Sequence, residues 1–288
     1  MTSVSADPAF RALLTNPSLE MTGKDVPSLE EAAPSIPPGT RVNVTFLGNE
    51  DLSMRLAAST AVLRLGFVPV PHISARRLPS EQVLREFLTA LTSAGAHEDV
   101  FVVAGDPATP EGPYDDALSL IRSGLLAEHG VRHVSIAGYP EGHPGIPGDV
   151  LWKALEDKAT AVRETGTPGT VITQFGFDAE PVLNWIEAVR GRGITLPIRV
   201  GVPGPAGIRR LLSYAARFGV GTSAGIAKKY GFSITNLMGT TGPDRFIEAL
   251  AQAYRPERHG EVGLHFYTFG GLRATSEWIG DYTRGRLG

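Results

Sequence analysis

The chain has 288 residues, 42% of them hydrophobic, and a formal net charge of 27 − 30 = −3 at pH 7. This length suits one large domain or two smaller ones, and the nearly balanced charge argues against a nucleic-acid or membrane surface as the main partner. The chain has no cysteine, which excludes disulfides, thiolate nucleophiles and cysteine-ligated metals.

The N-terminal segment resembles an extension more than a signal sequence. It lacks an apolar signal core, and no stretch of the chain approaches the length of a membrane helix, so we expect a soluble, cytoplasmic protein. We expect residues 1–16 to form an N-terminal extension and residues 17–288 to form the catalytic domain. Residues 22–40 are rich in proline, which predicts a loop or a short helical turn.

Short apolar runs rich in Val, Ile and Phe predict eight buried strands. They are residues 18–21, 42–46, 67–72, 99–105, 132–138, 170–175, 196–201 and 262–268. Helical stretches separate nearly all of them, and the clearest helix, within residues 79–95, has Ser80 as its cap and Gly95 as its stop. This alternation predicts an α/β fold, a single (β/α)8 TIM barrel. A doubly wound open sheet is the alternative, but it usually needs a glycine fingerprint that "SLEMTGKD" lacks.

The carboxyl ends of the predicted strands carry a polar or aromatic residue in nearly every case. In a barrel, these ends and the loops after them form the active face. The residues there are Glu20, Thr45, His72, Asp106, Tyr139, Glu141, His143, Gln174, Asp178 and Tyr267. We therefore expect a composite site, to which "AGYPEGHP" (137–144) contributes one loop.

Several of these residues also have a purely structural explanation. Gly105 and Asp106 begin a Gly-Asp-Pro sequence that is good turn chemistry, and a histidine such as His72 is more often a core residue bonded to backbone. The amide of Gln174 can donate and accept together, which suits a heterocycle such as a pterin or simply the neighbouring backbone. Glu20 is either a general acid in a barrel mouth or a surface residue near a frayed terminus.

Several segments taken together resemble a known family. The segments are "PHIS" (71–74), "AGDP" (104–107), "AGYPEGHP", "ITQFGFD" (172–178) and "LHFYT" (264–268). In their order and spacing they resemble the segments of methylenetetrahydrofolate reductase. The resemblance covers roughly residues 17–284, and its specific parts are Tyr-Pro-Glu-x-His-Pro and Ile-Thr-Gln. The family is a (β/α)8 barrel that reduces 5,10-methylenetetrahydrofolate to 5-methyltetrahydrofolate. Its electrons come from NADH or NADPH, and most members pass the hydride through FAD.

The resemblance implies a role for each matching position. Glu20 would be the acid that protonates the folate N10, and Asp106 would lie near both the pterin and the flavin pyrimidine. Gln174 would hydrogen-bond the folate, and Tyr267 would close the barrel mouth beside it. No metal is required. The residues of the cofactor site would be Thr45, His72, Gly105, Asp106, Tyr114, Ala137, Tyr139 and His143.

Three positions depart from the family pattern. Ala104 stands where a flavin-contacting arginine is usual, and Ile208 stands where a phenylalanine often stacks on the folate. The lysine that usually meets the flavin phosphates has two candidates, Lys158 and Arg163, neither in clear register. The missing arginine and the unplaced lysine predict that FAD is held weakly.

These departures leave rival functions open. The same reaction could run by direct hydride transfer from the nicotinamide without flavin. A folate- or flavin-binding barrel without reductase activity is another alternative, and so is a related one-carbon enzyme. The sequence also leaves open the choice between NADH and NADPH, the oligomeric state, and whether the pathway is methionine synthesis or methyl-group disposal.

Overall fold

Parallel strands form a closed barrel in this computed structural model, which describes residues 8–218 and 240–287. The strands are β1 Ser18–Met21, β2 Arg41–Val44, β3 Val68–Ser74, β4 Asp99–Val103, β5 His133–Gly138, β6 Gly169–Phe175, β7 Ile198–Pro203 and β8 Val262–Tyr267. Each pairs in parallel with its neighbours in chain order, and β8 pairs with β1 to close the ring. The predicted barrel is confirmed, and the open sheet is excluded.

Helices surround the ring and bury their apolar faces against it. They are α1 Pro8–Leu14, α2 Val26–Ala32, α3 Leu52–Arg64, α4 Glu81–Ser93, α5 Ala117–Arg122, α6 Leu125–Glu128, α7 Gly148–Glu164, α8 Ala179–Gly191, α9 Ile208–Phe218, α10 Asp244–Ala253, α11 Pro256–His259 and α12 Leu272–Leu287. A two-residue antiparallel pair joins Ala206–Gly207 to Thr240–Thr241. Within the described ranges, no helix combines the length and the apolar character needed to cross a membrane.

Helix α4 forms as its sequence pattern predicts. The Ser80 hydroxyl oxygen accepts a hydrogen bond from the Val83 N–H at 3.2 Å, which caps the first turn. Gly95 follows the helix with a φ of +73°, a conformation that favours glycine. The apolar stripe of the helix is buried through Leu84, Phe87, Leu88 and Leu91.

The observed strands differ from the predicted ones mainly at their ends. β2 stops at Val44 and β4 stops at Val103, earlier than predicted, whereas β3 runs on to Ser74. The reason is that apolar content identifies a buried strand, while the exact end depends on where the neighbouring strand stops pairing. The polar residues beyond these ends therefore belong to loops at the barrel mouth.

Helix α1 packs on the outside of the barrel. Its residues Phe10, Leu13 and Leu14 are buried in the same apolar core as the outer faces of the strands. Complete burial of a large apolar side chain contributes about 1.5–3 kcal/mol, so these contacts bind the helix to the barrel.

The inner faces of the strands line a largely polar lumen. Alternate residues point to opposite faces of a strand, so inward and outward positions separate cleanly. The inward residues Val70, Phe101 and Ile172 form a small apolar cluster separate from the large outer core. A TIM-barrel lumen is usually filled by branched apolar side chains, but here many inward positions are polar. The buried polar ones include Ser18, Asn43, His72, Ser135 and His265.

Gly201 allows β6 and β7 to approach closely beside the predicted folate-binding glutamine. A Cβ at this position would lie 2.6 Å from the Thr173 carbonyl oxygen and 2.7 Å from the Phe175 nitrogen. The Gly201 N–H instead donates to Thr173 Oγ1 at 2.8 Å, and the β6–β7 register shifts between Ile172 and Phe175. We interpret this irregularity as a β-bulge, and Gln174 lies within it.

Replacing Gly201 with alanine should destabilise the protein by about 1–3 kcal/mol, because backbone atoms of β6 occupy the space that the methyl group needs. Urea unfolding measures the change. Gly263→Ala is the matched control on the adjacent strand, where a Cβ would meet only Arg199 Nη1 at an ordinary 3.7 Å. Equal losses in the two variants would contradict this explanation of the bulge.

Candidate active site

Glu20 lies in a buried cluster at the carboxyl end of β1. Its side chain is 17% exposed, and its Oε2 lies 3.4 Å from His265 Nε2 and 3.9 Å from His72 Nε2. Thr268 Oγ1 donates to the Glu20 backbone carbonyl at 2.7 Å, so the residue after β8 fixes the end of β1. Imidazoles from two different strands therefore face one oxygen of this carboxyl group.

His72 is a neutral neighbour of that carboxyl group. Burial lowers the pKa of His72 to about 4; Glu20 acts in the opposite direction, and His265 and Arg55 lower it further. The ring packs edge-on against Phe101, with centroids 4.6 Å apart. At neutral pH, His72 therefore contributes an uncharged wall to the site rather than a cation.

Tyr267 and Gln174 contribute polar groups from β8 and β6. The Tyr267 hydroxyl donates to the Thr173 carbonyl oxygen at 3.1 Å. Burial raises the pKa of Tyr267 well above its ordinary value, and Glu20 and Tyr139 add to the rise, so the phenol stays protonated. Gln174 Oε1 accepts from the next backbone N–H at 3.0 Å, and no described residue accepts from its amide nitrogen. That nitrogen can donate to a ligand.

Asp106 belongs to the loop after β4 and forms an ion pair with a residue that follows β3. Its Oδ2 lies 3.1 Å from Arg77 Nη2, and its side chain is 70% exposed, so a ligand can reach it. Gly105 has a φ of +96°, and a Cβ there would lie 2.1 Å from Ser74 Oγ. A β3 side chain therefore fills the space beside this glycine.

A cavity of about 430 Å³ opens beside the carboxyl end of β5, between α7 and α8. Lys158 Nζ donates to the Ala137 carbonyl oxygen at 3.2 Å, and burial lowers the pKa of Lys158 to about 8. Trp152 and Trp185 stack with ring centroids 5.9 Å apart. The cavity thus combines an ammonium group with aromatic walls. Its lining includes Ala137, Gly138, Tyr139, Trp152, Lys158 and Trp185.

Three other residues assigned to the cofactor site, His143, Thr45 and Tyr114, differ from one another in their packing and burial. The His143 ring packs edge-on against Tyr139 at 5.5 Å. Thr45 follows β2, and its hydroxyl is buried without a partner among the described residues. Tyr114 lies in the large apolar core with 5% exposure. The structure therefore gathers Glu20, His72 and Tyr267 in one cluster and puts Tyr114 in the core.

Two buried residues beside Glu20 were not predicted from the sequence. His265 Nδ1 lies 2.9 Å from Ser18 Oγ, and both side chains are buried in the lumen. Ser18 precedes Glu20 by two positions, and His265 precedes Tyr267 by two, so each pair shares one strand face. The alternation of residues along β1 and β8 could therefore have identified Ser18 and His265 from the sequence. No such pattern indicated Arg77, which comes from the short turn Ala75–Arg77.

The family-model match and the curated relatives agree on one family. The family model for methylenetetrahydrofolate reductase matches residues 36–277. "Methylenetetrahydrofolate reductase 2" of Saccharomyces cerevisiae is 30% identical over 173 residues, which are 57% of this chain and 27% of the relative. "Methylenetetrahydrofolate reductase (NADH) 1" of Zea mays is 28% identical over 144 residues, 46% of this chain and 24% of the relative. The matched region spans about a quarter of each relative's length.

A solved structure of similar length aligns with most of this chain. Dihydropteroate synthase from Thermus thermophilus aligns with a TM-score of 0.49 and 17% identity, covering 94% of this chain and 95% of that chain.

The closed ring and the polar cluster at its mouth define a (β/α)8 barrel with a candidate active site at the carboxyl ends of its strands. Because the family model covers most of that barrel, this chain belongs to the methylenetetrahydrofolate reductase family. The resemblance in its motifs is confirmed.

The lowered pKa of His72 predicts a loss of stability in acid. The unfolded chain takes up this proton near pH 6.5 and the folded chain at about 4, so the contribution is intact above 6.5 and is lost between 6.5 and 4. Between pH 7 and pH 5, wild-type protein should lose roughly 2 kcal/mol more unfolding free energy than His72→Gln. Urea unfolding at the two pH values measures this difference. Equal losses of unfolding free energy in the two proteins would contradict the prediction.

Proposed function

We propose that this protein reduces 5,10-methylenetetrahydrofolate to 5-methyltetrahydrofolate with a hydride from NADH or NADPH, and that Glu20 is the general acid. Membership of the family and the names of the relatives support this class of reaction. The observation that carries the proposal is the Glu20 carboxyl group itself. It lies at the barrel mouth, 17% exposed, with one oxygen facing His265 and His72.

Glu20 would act at the step that opens the five-membered ring of the substrate. Its proton passes to N10, the bond between N10 and the methylene carbon breaks, and the N5 atom becomes part of an iminium cation. A hydride then adds to the methylene carbon and completes the methyl group. The carboxylate left on Glu20 lies near the cation and stabilises it, and solvent returns the proton after product leaves.

Three other residues would bind the folate. The Gln174 amide nitrogen has donors to offer a pterin ring, and the exposed carboxylate of Asp106 can accept from pterin N–H groups. Asp106 is also proposed as a catalytic partner, beside both the pterin and the cofactor. Tyr267 stays neutral and would close the mouth beside the substrate.

The residues beside β5 fit part of an FAD molecule. The cavity next to Ala137 and Tyr139 has aromatic walls, and the buried Lys158 ammonium can pair with a phosphate. We propose Thr45, His72, Gly105, Asp106, Ala137, Tyr139 and His143 as the cofactor-binding set, without Tyr114, because that side chain is packed in the outer apolar core. When bound, FAD would take the hydride from the nicotinamide and supply it to the methylene carbon.

Two observations favour a second candidate, direct hydride transfer from the nicotinamide without flavin. Ala104 brings no charge to the end of β4, where a flavin-contacting arginine is expected. The Lys158 ammonium already donates to the Ala137 carbonyl oxygen. Under this candidate, the proton chemistry of Glu20 is unchanged, and the barrel mouth would hold the nicotinamide beside the folate.

FAD retention separates the two candidates. The absence of an arginine at position 104 should weaken FAD binding by about 1.5–3 kcal/mol, or roughly ten- to hundredfold in affinity. We therefore expect FAD to be partly lost during purification and regained on addition. Full activity in protein stripped of FAD would contradict this proposal and favour direct transfer. Ligand binding without NAD(P)H oxidation would favour a non-catalytic barrel.

A pair of lysines on α7 sharpens this test. Lys158→Met should weaken FAD binding by a further ten- to hundredfold, because it removes the buried ammonium. Lys153→Met is the matched control, since Lys153 lies on the same helix, is 77% exposed and pairs with Asp157. Flavin fluorescence titration measures both affinities. Equal affinities for the two variants would remove Lys158 from the cofactor site.

Glu20→Gln should slow reduction of methylenetetrahydrofolate by about 10²–10⁴-fold, because the amide keeps the shape but has no proton to transfer. Reduction of bound FAD by NAD(P)H should slow far less. Glu187→Gln is the matched control, because Glu187 lies 3.1 Å from a buried histidine, His259, on the outer helices. Stopped-flow kinetics of the folate step measure the effect. A near wild-type rate in Glu20→Gln would transfer the role of acid to another group, with Asp106 the first candidate.

A further inference from the structure

We propose that Ser18 and His265 form a positioning pair that holds one oxygen of Glu20, so that the other oxygen carries the proton to the substrate. This inference rests on the proposed function, because it assigns a purpose to two residues beside the proposed acid. Neither residue would touch the folate or the hydride donor. Both would act through Glu20.

The three side chains form a continuous chain of polar contacts inside the barrel. Ser18 Oγ lies 2.9 Å from His265 Nδ1, and His265 Nε2 lies 3.4 Å from Glu20 Oε2. Ser18 is 1% exposed and His265 is 0% exposed. The β1–β8 register places Ser18 directly opposite His265, so the backbone ladder itself sets the first contact. The imidazole is therefore held in place with little freedom to rotate.

The Ser18 hydroxyl can complement the tautomer of His265 that donates to Glu20, because a hydroxyl can donate to Nδ1 when Nε2 carries the imidazole proton. A neutral imidazole has one N–H donor and one acceptor nitrogen. When the Ser18 O–H donates to Nδ1, the imidazole proton must be on Nε2, the atom that faces Glu20. His265 then donates to the carboxyl group, and this bond strengthens as the oxygen acquires negative charge.

The two oxygens of Glu20 have different surroundings. Both His265 and His72 approach Oε2, and no described residue makes a hydrogen bond to Oε1. Among the described residues, the other ionisable groups that influence this corner are the neutral His72 and the protonated Tyr267. Arg55 acts on His72, and Tyr139 acts on Tyr267. His265 is thus the closest N–H donor to the carboxyl group. Oε1 remains to carry the proton toward the mouth.

Loss of this donor has a consequence that depends on pH. As the proton leaves Glu20, negative charge develops on a carboxyl group that is mostly out of water, and the His265 N–H stabilises it. Without that donor, the proton transfer slows. The protonated form of the acid then also persists to higher pH. In a plot of turnover rate against pH, the decline on the alkaline side should therefore move to higher pH. Simple misfolding would instead lower the rate equally at every pH.

The test compares pH profiles of folate-dependent turnover in four variants. His265→Leu removes the donor and should lower kcat by about 10–100-fold, and Ser18→Ala should lower it by about tenfold or less. Both variants should move the alkaline limb of the profile to higher pH, by about one pH unit in His265→Leu, with little change in KM. His265→Gln keeps an N–H donor and should retain the wild-type limb. Ser135→Ala is the matched control, since Ser135 is equally buried in the lumen on β5, directly across the ring from β1.

A second measurement makes the inference independent of the proposed activity. The ¹³C NMR signal of the Glu20 carboxyl group, assigned by its loss in Glu20→Gln, reports protonation without any substrate. Its titration should move to higher pH in Ser18→Ala, which tests the idea even if His265→Leu does not fold. An unmoved titration and an unmoved limb in both variants would overturn the inference. An inactive wild-type protein whose Glu20 titration still shifts would refute the proposed function and leave the pair intact.

Discussion

Closure of the parallel strands into a ring is the constraint on which the site depends. Closure forces every second side chain of each strand into a lumen with little room for water. A polar group placed there gains stability from a partner among its neighbours, because a buried polar atom without one is costly. The contacts of Ser18, His265 and Glu20 meet this demand across adjacent strands. The same closure brings the ends of β1, β3 and β8 to one place.

Burial then determines which groups in the mouth carry charge. His72 and Tyr267 are both driven toward their neutral forms, His72 by the loss of its proton and Tyr267 by keeping its own. The Glu20 carboxyl group therefore has His72 and Tyr267 as neutral neighbours instead of a fixed cation. Such surroundings suit a group that must change its charge during turnover, because a fixed cation would favour the ionised acid permanently.

Much of the fold followed from local pattern, since a buried parallel strand is continuously apolar and a helix repeats every three to four residues. Glu20, His72, Gln174 and Tyr267 were predictable because they stand at strand ends, where a barrel collects its polar groups. The placing of Lys158 was not predictable, because it depends on how far α7 is rotated against β5. The bulge at Gln174 likewise depends on a glycine in the next strand, which no local pattern in β6 reveals.

The ion pair between Arg77 and Asp106 connects two segments of the barrel mouth. Asp106 lies in the loop after β4, where Ala104 brings no charge of its own. In space, a guanidinium still lies 3.1 Å from the Asp106 carboxylate, since it reaches there from the turn after β3. The electrostatic field at this carboxylate therefore depends on how the loop after β4 lies relative to the turn after β3. A shift of either segment would change the electrostatic potential that a ligand meets beside Asp106.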